Sequence, residues 1–174
     1  MKILLATLSS AVSFFSQLAL GQCDSPAPAD TQLVGTWHLV SIEDTIDGEA
    51  GQAVDLGAHP VGMLIYQADG HMSATLVDGD RPAWKNPAKP TNTEKALYYD
   101  SFVAYSGTFR VDWEKSIVYH YPAIAWSPAF LASVQVRPFR LEGDRLIITV
   151  TENLGDPRLE KRVLVWQRAK ANDR

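Results

Sequence analysis

The stretch that most constrains the fold covers residues 33–42 and reads Leu-Val-Gly-Thr-Trp-His-Leu-Val-Ser-Ile. Side chains in an extended strand alternate between two faces, so Gly35, Trp37 and Leu39 share one face. A glycine lets a neighbouring backbone approach closely, and an indole two residues later can fill the base of a small barrel. The pattern predicts a first strand whose Trp37 closes one end of a barrel; an ordinary core strand is the alternative.

The first 21 residues have the layout of an export signal. Lys2 supplies one positive charge, an apolar run follows, and small residues precede a cleavage site ahead of Gln22. We therefore predict a cleaved signal peptide over residues 1–21 and a protein that is secreted or lies in the lumen of the secretory pathway. No stable membrane insertion is expected after cleavage. An uncleaved anchor is the alternative, but the apolar run is short for that role.

Cys23 is the only cysteine among the 174 residues, so no disulfide can form within the chain. The sequence around Cys23 faintly resembles a bacterial lipoprotein signal, although Gln22 stands where a small residue is expected. Residues 22–31 contain two prolines and are predicted to be a flexible leader. Residues 32–170 have the size of a single domain.

Charge and motif content exclude several classes of function. The formal net charge of −4 argues against nucleic acid and anionic membranes as partners. The four histidines, at positions 38, 59, 71 and 120, lack a metal-ligand spacing, so neither a metal nor another cofactor is expected. No phosphate loop, dinucleotide fingerprint or nucleophile elbow occurs. Small-molecule binding or cofactor-free catalysis remains, and the oligomeric state is left open.

The strongest hairpin signal lies between residues 61–67 and 71–77, which flank an Asp-Gly pair. If Asp69 and Gly70 form a two-residue turn, Tyr66 lies opposite Ser73. The alternation leaves open which face of this hairpin points inward. Residues 44–59, with few apolar side chains, predict a long mobile connection at the mouth of a barrel.

A short helix is predicted after a proline-rich loop. Thr91 or Thr93 can cap it, and Leu97, Tyr98, Phe102 and Tyr105 recur at helical spacing, which suits packing on the barrel or a lid over its mouth. Eight strands with one short helix fit an all-β fold, an up-and-down antiparallel barrel without open edges. The remaining strands are expected at residues 105–111, 116–121, 133–141, 145–151 and 162–168, with a loop at 122–130.

Five blocks of the sequence add to the prediction of an antiparallel barrel. They read LVGTWHLVS at 33–41, HPVGMLIYQADGHMSA at 59–74, YSGTF at 105–109, QVRPFRLEGDRL at 135–146 and VWQR at 165–168. In order and spacing they resemble the lipocalin-like domain family of bacteria and fungi, whose members often lie beside genes for small-molecule biosynthesis. The resemblance implies a lipocalin-type barrel with a central ligand cavity. It also implies that Trp37 stacks on an arginine near the chain end, for which Arg168 is the matching position.

Arg137 is the sharpest candidate for chemistry because it shares its strand face with Gln135, Phe139 and Leu141. A cation on an apolar face is costly unless it is compensated. Arg137 is therefore predicted to bind or polarise a carbonyl, enolate or carboxylate of a ligand. An internal salt bridge or a position at the cavity rim is the alternative.

His120 is the second candidate, since histidine suits proton transfer near neutral pH. It lies between Tyr119 and Tyr121, so either His120 or the two tyrosines face inward. A structural, hydrogen-bonded histidine is the alternative. The predicted catalytic residues are Arg137, His120 and Tyr66, and the predicted ligand contacts are Trp37, His71, Tyr105, Phe109, Trp126, Gln135 and Phe139.

Two functions remain open. The first is a cofactor-free cyclase or isomerase that folds a hydrophobic secondary-metabolite intermediate, such as a polyketide or terpenoid. The second is a non-catalytic carrier that sequesters a hydrophobic metabolite in the same cavity. An inward Arg137 favours the enzyme, whereas a wholly apolar cavity would favour the carrier.

Overall fold

The computed structural model describes residues 31–51, 54–131, 133–151 and 158–170, which form one antiparallel sheet that closes on itself. Eight strands make the barrel, and β2 is an extra strand that pairs only with β1. The predicted up-and-down barrel is confirmed. The strands are β1 (Gly35–Ile46), β2 (Glu49–Gly51), β3 (Pro60–Tyr66), β4 (His71–Asp78), β5 (Phe102–Asp112), β6 (Ile117–Ala125), β7 (Gln135–Glu142), β8 (Arg145–Val150) and β9 (Leu159–Arg168).

The barrel closes where β1 pairs with β9, so the first and last strands are neighbours. At the base, Trp37 lies opposite Arg168, and the Arg168 guanidinium stands 4.0 Å from the centre of the indole ring. The Trp37 side chain is fully buried. The expected stacking of Trp37 on Arg168 is therefore present, and it seals the end of the barrel opposite the mouth.

A bulge in β1 changes which of its residues face inward. Leu39 lies opposite Trp166 and Ser41 opposite Val165, so Val40 is an extra residue, and 59 % of it is exposed. An extra residue shifts the alternation by one position. Beyond the bulge Asp44 is buried. The expectation of a long connection over 44–59 is wrong in part, because this segment contains the end of β1, β2 and a 3-10 turn at Val54–Leu56.

The β3–β4 hairpin differs from the predicted register by one residue. The Gln67 amide donates to the His71 carbonyl, and Gly70 has a φ of +85°, so the loop contains three residues rather than two. Tyr66 consequently lies opposite Met72, not Ser73. Tyr66 and Met72 are both buried, which settles the inward face of this hairpin.

The first helix, α1 (Asn92–Asp100), begins at the cap predicted for Thr91, with reciprocal hydrogen bonds to Glu94. It ends before Phe102, so the helical spacing predicted through Phe102 and Tyr105 is wrong: both residues belong to β5. None of its residues is buried.

The segment after β6 also differs from expectation. Strand β6 continues through Pro122, and a second helix, α2 (Pro128–Leu131), occupies part of the expected 122–130 loop. No helix among the described residues has the length and apolarity needed to cross a membrane. Residues 1–30 lie outside the described part, so the signal peptide, most of the leader and the fate of Cys23 stay predictions.

Candidate ligand-binding site

A cavity of about 400 Å³ occupies the barrel between its closed base and its mouth. This volume lies within the range of small-molecule sites. Strands β3 to β9 contribute to its wall, and α2 and the 3-10 turn contribute near the mouth. Most of the lining is apolar, including Leu64, Leu76, Val103, Phe130, Ile148 and Leu164.

One side of the cavity carries polar groups from three adjacent strands. Tyr105 comes from β5, His120 from β6, and Gln135 and Arg137 from β7. His120 lies directly opposite Gln135 in the sheet. We call Tyr105, His120, Gln135 and Arg137 the polar wall. Neighbouring strands thus place a cation, an imidazole, a phenol and an amide in one region of a cavity whose lining is mostly apolar.

His120 is held between two tyrosines. The Tyr105 hydroxyl lies 2.9 Å from Nδ1, and the Tyr66 hydroxyl lies 2.7 Å from Nε2. Only 1 % of His120 is exposed. The structure therefore resolves the alternation of β6: His120 points inward, while Tyr121 is exposed.

The buried environment of His120 and Tyr66 shifts the pKa values of both side chains so that each is uncharged at neutral pH. Burial, followed by the positive charge of Arg137, lowers the pKa of His120 to about 3. Burial, with a smaller contribution from Tyr105, raises the pKa of Tyr66 well above its usual value. At neutral pH His120 is a neutral imidazole with one N–H and one acceptor nitrogen. One tyrosine therefore donates to the imidazole and the other accepts from it.

The guanidinium of Arg137 is held by its own strand. Nη1 donates to the Val136 carbonyl at 3.0 Å, and Nη2 donates to the Gln135 side-chain oxygen. Gln135 in turn donates to the Ser133 hydroxyl at 2.8 Å. Arg137 and Gln135 are both buried, as the alternation of β7 predicts. This row of hydrogen bonds fixes the orientation of the cation in the cavity wall.

A second charged group lies in the wall and was not predicted from the sequence. Arg162 donates two hydrogen bonds to Asp44 and two to Asp55. Burial alone would lower the pKa of Arg162, but the hydrogen bonds that it donates to Asp55 and Asp44, together with their negative charges, raise it above its ordinary value. Arg162 and Asp55 line the cavity. This cluster ties the 3-10 turn to β9 and β1.

Several predicted site residues come together in the cavity, and others do not. Arg137, His120, Tyr105, Trp126 and Gln135 line it. Tyr66, predicted to be catalytic, lies behind His120 rather than in the lining.

Four of the predicted ligand contacts lie outside the lining of this cavity. Trp37 fills the base under Arg168. Phe109 packs on Tyr66 with ring centres 4.6 Å apart, and Phe139 packs edge-on against Trp113. His71 lies on the surface at the hairpin, beside Asp69. Aromatic side chains at the base fill the barrel below the cavity, so an inward-facing position does not by itself place a residue in the cavity lining.

In the part of the chain that the structure describes, no group of three His, Cys, Asp or Glu side chains is placed so that it could hold a metal ion. The polar wall consists of a guanidinium, a phenol, an amide and a neutral imidazole. Such a set donates and accepts hydrogen bonds and stabilises negative charge on a ligand oxygen.

The closed barrel and its internal cavity define a barrel-type ligand-binding protein. A family model described as a lipocalin-like domain matches residues 34–169, and the chain belongs to this family. No curated protein matches the chain. A crystal structure of a lipoprotein, YedD from Klebsiella pneumoniae, is similar at 16 % identity and a TM-score of 0.39, covering 84 % of this chain and 78 % of that chain.

Proposed function

We propose that this protein binds a small, largely apolar molecule with an oxygen acceptor and promotes its cyclisation or isomerisation without a cofactor. The observation that carries the proposal is the buried Arg137 guanidinium in the wall of a cavity whose lining is mostly apolar. Membership of the lipocalin-like family supports a hydrophobic ligand. The proposed substrate is a secondary-metabolite intermediate such as a polyketide or terpenoid. The proposed place of action, outside the cell or in the secretory pathway, rests on the predicted signal peptide.

A buried cation favours chemistry in which negative charge develops. An oriented guanidinium stabilises an enolate or carboxylate more strongly than a neutral carbonyl, so its effect is largest in the transition state. The hydrogen bonds from Arg137 to Val136 and Gln135 fix that orientation before the substrate binds. Arg137 is therefore the proposed electrostatic catalyst.

Tyr105 is the proposed hydrogen-bond donor to the substrate. Its hydroxyl bonds to Nδ1 of His120, and its side chain also lines the cavity. When Nδ1 carries the imidazole proton, Tyr105 accepts from His120 and can direct its own proton to a substrate oxygen. Tyr66 then donates to Nε2. In this arrangement Tyr66 and His120 are positioning residues, because a pKa of about 3 makes His120 a weak base.

The apolar wall supplies the remaining part of the proposed mechanism. A cavity of about 400 Å³ confines a small substrate and restricts it to folded conformations. Holding the reacting ends together can contribute on the order of 7 to 11 kcal/mol at best to an intramolecular step. Confinement by the cavity and the oriented Arg137 guanidinium are therefore the two contributions proposed for a cofactor-free ring closure.

A non-catalytic carrier is the second candidate, and the predominantly apolar lining of the cavity favours it. The two functions differ in what the polar wall contributes. A carrier needs Arg137 only for affinity, so its removal would weaken binding and leave product formation unchanged.

The proposal is tested by comparing Arg137→Met with Arg140→Met in a producing strain. Arg140 lies on the same strand, but 68 % of its side chain is exposed, so it is a matched control. Metabolites are profiled by mass spectrometry in strains carrying each variant, the parent gene or no gene. We expect Arg137→Met to cut product formation by about 100-fold or more and to accumulate an uncyclised precursor. Arg140→Met should match the parent.

A binding assay separates the two candidate functions. Anilinonaphthalene sulfonate is an apolar anion that fluoresces in apolar sites, and we expect Arg137→Met to weaken its binding. If this variant folds normally and still forms product at the parental rate, catalysis by Arg137 is wrong. If its probe binding alone is weaker, the carrier is the correct function.

A further inference from the structure

Four aromatic rings follow one another along one side of the cavity. The ring centres of His120 and Tyr105 lie 5.8 Å apart, those of Tyr105 and Phe130 5.3 Å, and those of Phe130 and Trp126 4.5 Å. All four residues line the cavity. We call His120, Tyr105, Phe130 and Trp126 the ring row. It runs from the polar wall, to which His120 and Tyr105 also belong, to the segment that contains α2.

Aliphatic side chains line the cavity on both sides of the ring row. The lining residues of β3, β4 and β8 are Leu64, Ala74, Leu76, Ile148 and Val150. Such side chains bind apolar groups through contacts that have no preferred direction. Aromatic rings additionally attract the face or edge of another ring, at centre-to-centre distances of about 4.5 to 7 Å. The ring row therefore gives one part of the cavity a selectivity that the aliphatic part lacks.

Two members of the ring row keep surface that a ligand can reach. Phe130 and Trp126 are only half-buried, although both line the cavity. Hydrogen bonds position their segment: the Trp126 amide donates to the Ala104 carbonyl at 2.8 Å, and the Tyr99 hydroxyl donates to the Trp126 carbonyl at 3.3 Å. Leu131, next to Phe130 in α2, is 49 % exposed and lies outside the cavity lining. Helix α2 thus presents the Phe130 ring to the cavity.

We propose that the ligand carries a planar conjugated ring that lies against the ring row, with its oxygen acceptor at the polar wall. Tyr105 and His120 belong to both groups, so an oxygen attached to a ring bound beside Phe130 and Trp126 lies next to the polar wall. The inference rests on the proposed binding function and narrows its ligand class to aromatic or conjugated oxygen compounds, such as an aryl ketone or a phenol. A saturated, aliphatic compound of the same size is disfavoured.

The test uses two ketones that share a two-ring carbon skeleton. One ring of 1-tetralone is aromatic, whereas both rings of 1-decalone are saturated. Dissociation constants of both ketones are measured for the full chain, Phe130→Leu, Trp126→Leu and the control Trp113→Leu. The Trp113 ring packs on Phe139 and lies outside the cavity lining, so the control removes an indole without changing the ring row.

We expect the parent to prefer 1-tetralone by about threefold to tenfold, the size of ring contacts beyond burial. Phe130→Leu and Trp126→Leu should each reduce this preference by about twofold or more, and Trp113→Leu should keep it. Equal affinities of the parent for the two ketones, or the same loss in Trp113→Leu as in Phe130→Leu, would overturn the inference and leave the binding function in place.

A measurement on the unmodified sequence covers the case in which the variants do not fold. In NMR spectra of isotope-labelled protein, nuclear Overhauser effects should connect the aromatic protons of 1-tetralone with ring protons of Phe130 and Trp126. Effects that connect those protons only with aliphatic methyl groups, such as those of Leu64 and Ile148, would contradict the inference. If neither ketone binds the parent, the proposed binding function fails first and the inference falls with it.

Discussion

Arg162 and Asp44 form a two-pronged ion pair inside the barrel, with Nε to Oδ1 at 2.8 Å and Nη2 to Oδ2 at 3.0 Å. Their side chains are 3 % and 2 % exposed. The pair joins β9 to β1, the two strands whose pairing closes the sheet. A buried pair of this kind is sensitive to the loss of one partner, because the other charge is then left in a low-dielectric site.

We expect Asp44→Asn to lower the free energy of unfolding by about 3 kcal/mol. The substitution removes one carboxylate and leaves Asp55 as the remaining anionic partner of Arg162 that the structure shows. Urea denaturation measures the loss. The control is Glu142→Gln, which breaks an exposed ion pair with Arg140 and should cost well under about 1 kcal/mol. Equal losses in the two variants would contradict the role assigned to Asp44.

The pH dependence of stability should report the burial of His120. Its pKa is lowered from 6.5 in the ordinary state to about 3 in the fold, so the unfolded chain binds more protons between these values. The contribution of neutral His120 to the free energy of unfolding is therefore fully present above about pH 6.5. It is lost as the pH falls toward 3, by up to about 1.4 kcal/mol per pH unit. We expect His120→Gln to remove this slope. Ordinary carboxylates titrate mainly below pH 5, so the comparison is sharpest between pH 5 and about 6.5. Parallel curves for the two proteins in that interval would show that His120 is not buried as a neutral group.

Arg168 should stabilise the base of the barrel beyond its stacking on Trp37. Its Nη atoms donate to the carbonyls of Val34 and Gln32, each at 2.7 Å. We expect Arg168→Gln to cost about 1 to 3 kcal/mol, since both the cation–π contact and charged hydrogen bonds are lost. Arg145→Gln, an exposed arginine on the neighbouring strand, is the control and should be close to neutral. A thermal shift that is the same for both variants would argue against this role.

Gly107 lies where β5 and β6 approach too closely for a side chain. A Cβ atom at this position would collide with the backbone of Tyr121 and Ala123, next to the bulge in the β5–β6 pairing. We expect Gly107→Ala to destabilise the protein by about 1 to 3 kcal/mol, because strand backbone must move to accommodate it. Gly143→Asn is the control: its φ of +60° suits asparagine, and no atom lies within 4 Å of the added Cβ. A larger loss at Gly143 than at Gly107 would refute the steric argument.

Strict alternation explains what could be predicted from the sequence. Arg137 lies inside because β7 runs without a bulge through Phe139, so counting by twos gives the correct face. Trp37 could be assigned to the base for the same reason, as it precedes the irregularity in its strand. The inward or outward orientation of residues on regular strands can thus be predicted from the sequence.

Local irregularities and long-range pairing explain what could not be predicted. The extra residue Val40 moves Asp44 to the inside, and nothing in the surrounding sequence marks that bulge. The partnership of Arg162 with Asp44 and Asp55 joins residues more than 100 positions apart, so it follows only from the closed barrel. Tyr105 and Trp126 could each be predicted as ligand contacts, but their shared contact with Phe130 is a property of packing.

Pairing of the first barrel strand with the last brings the two ends of the domain together, and the Ala169 amide donates to the Thr36 carbonyl at 2.8 Å. A short linker between these ends, combined with new termini at the exposed Gly143 turn, would preserve every strand pairing. Because the sheet is closed, no particular strand has to be the first in the chain. A circularly permuted chain should therefore enclose the same cavity.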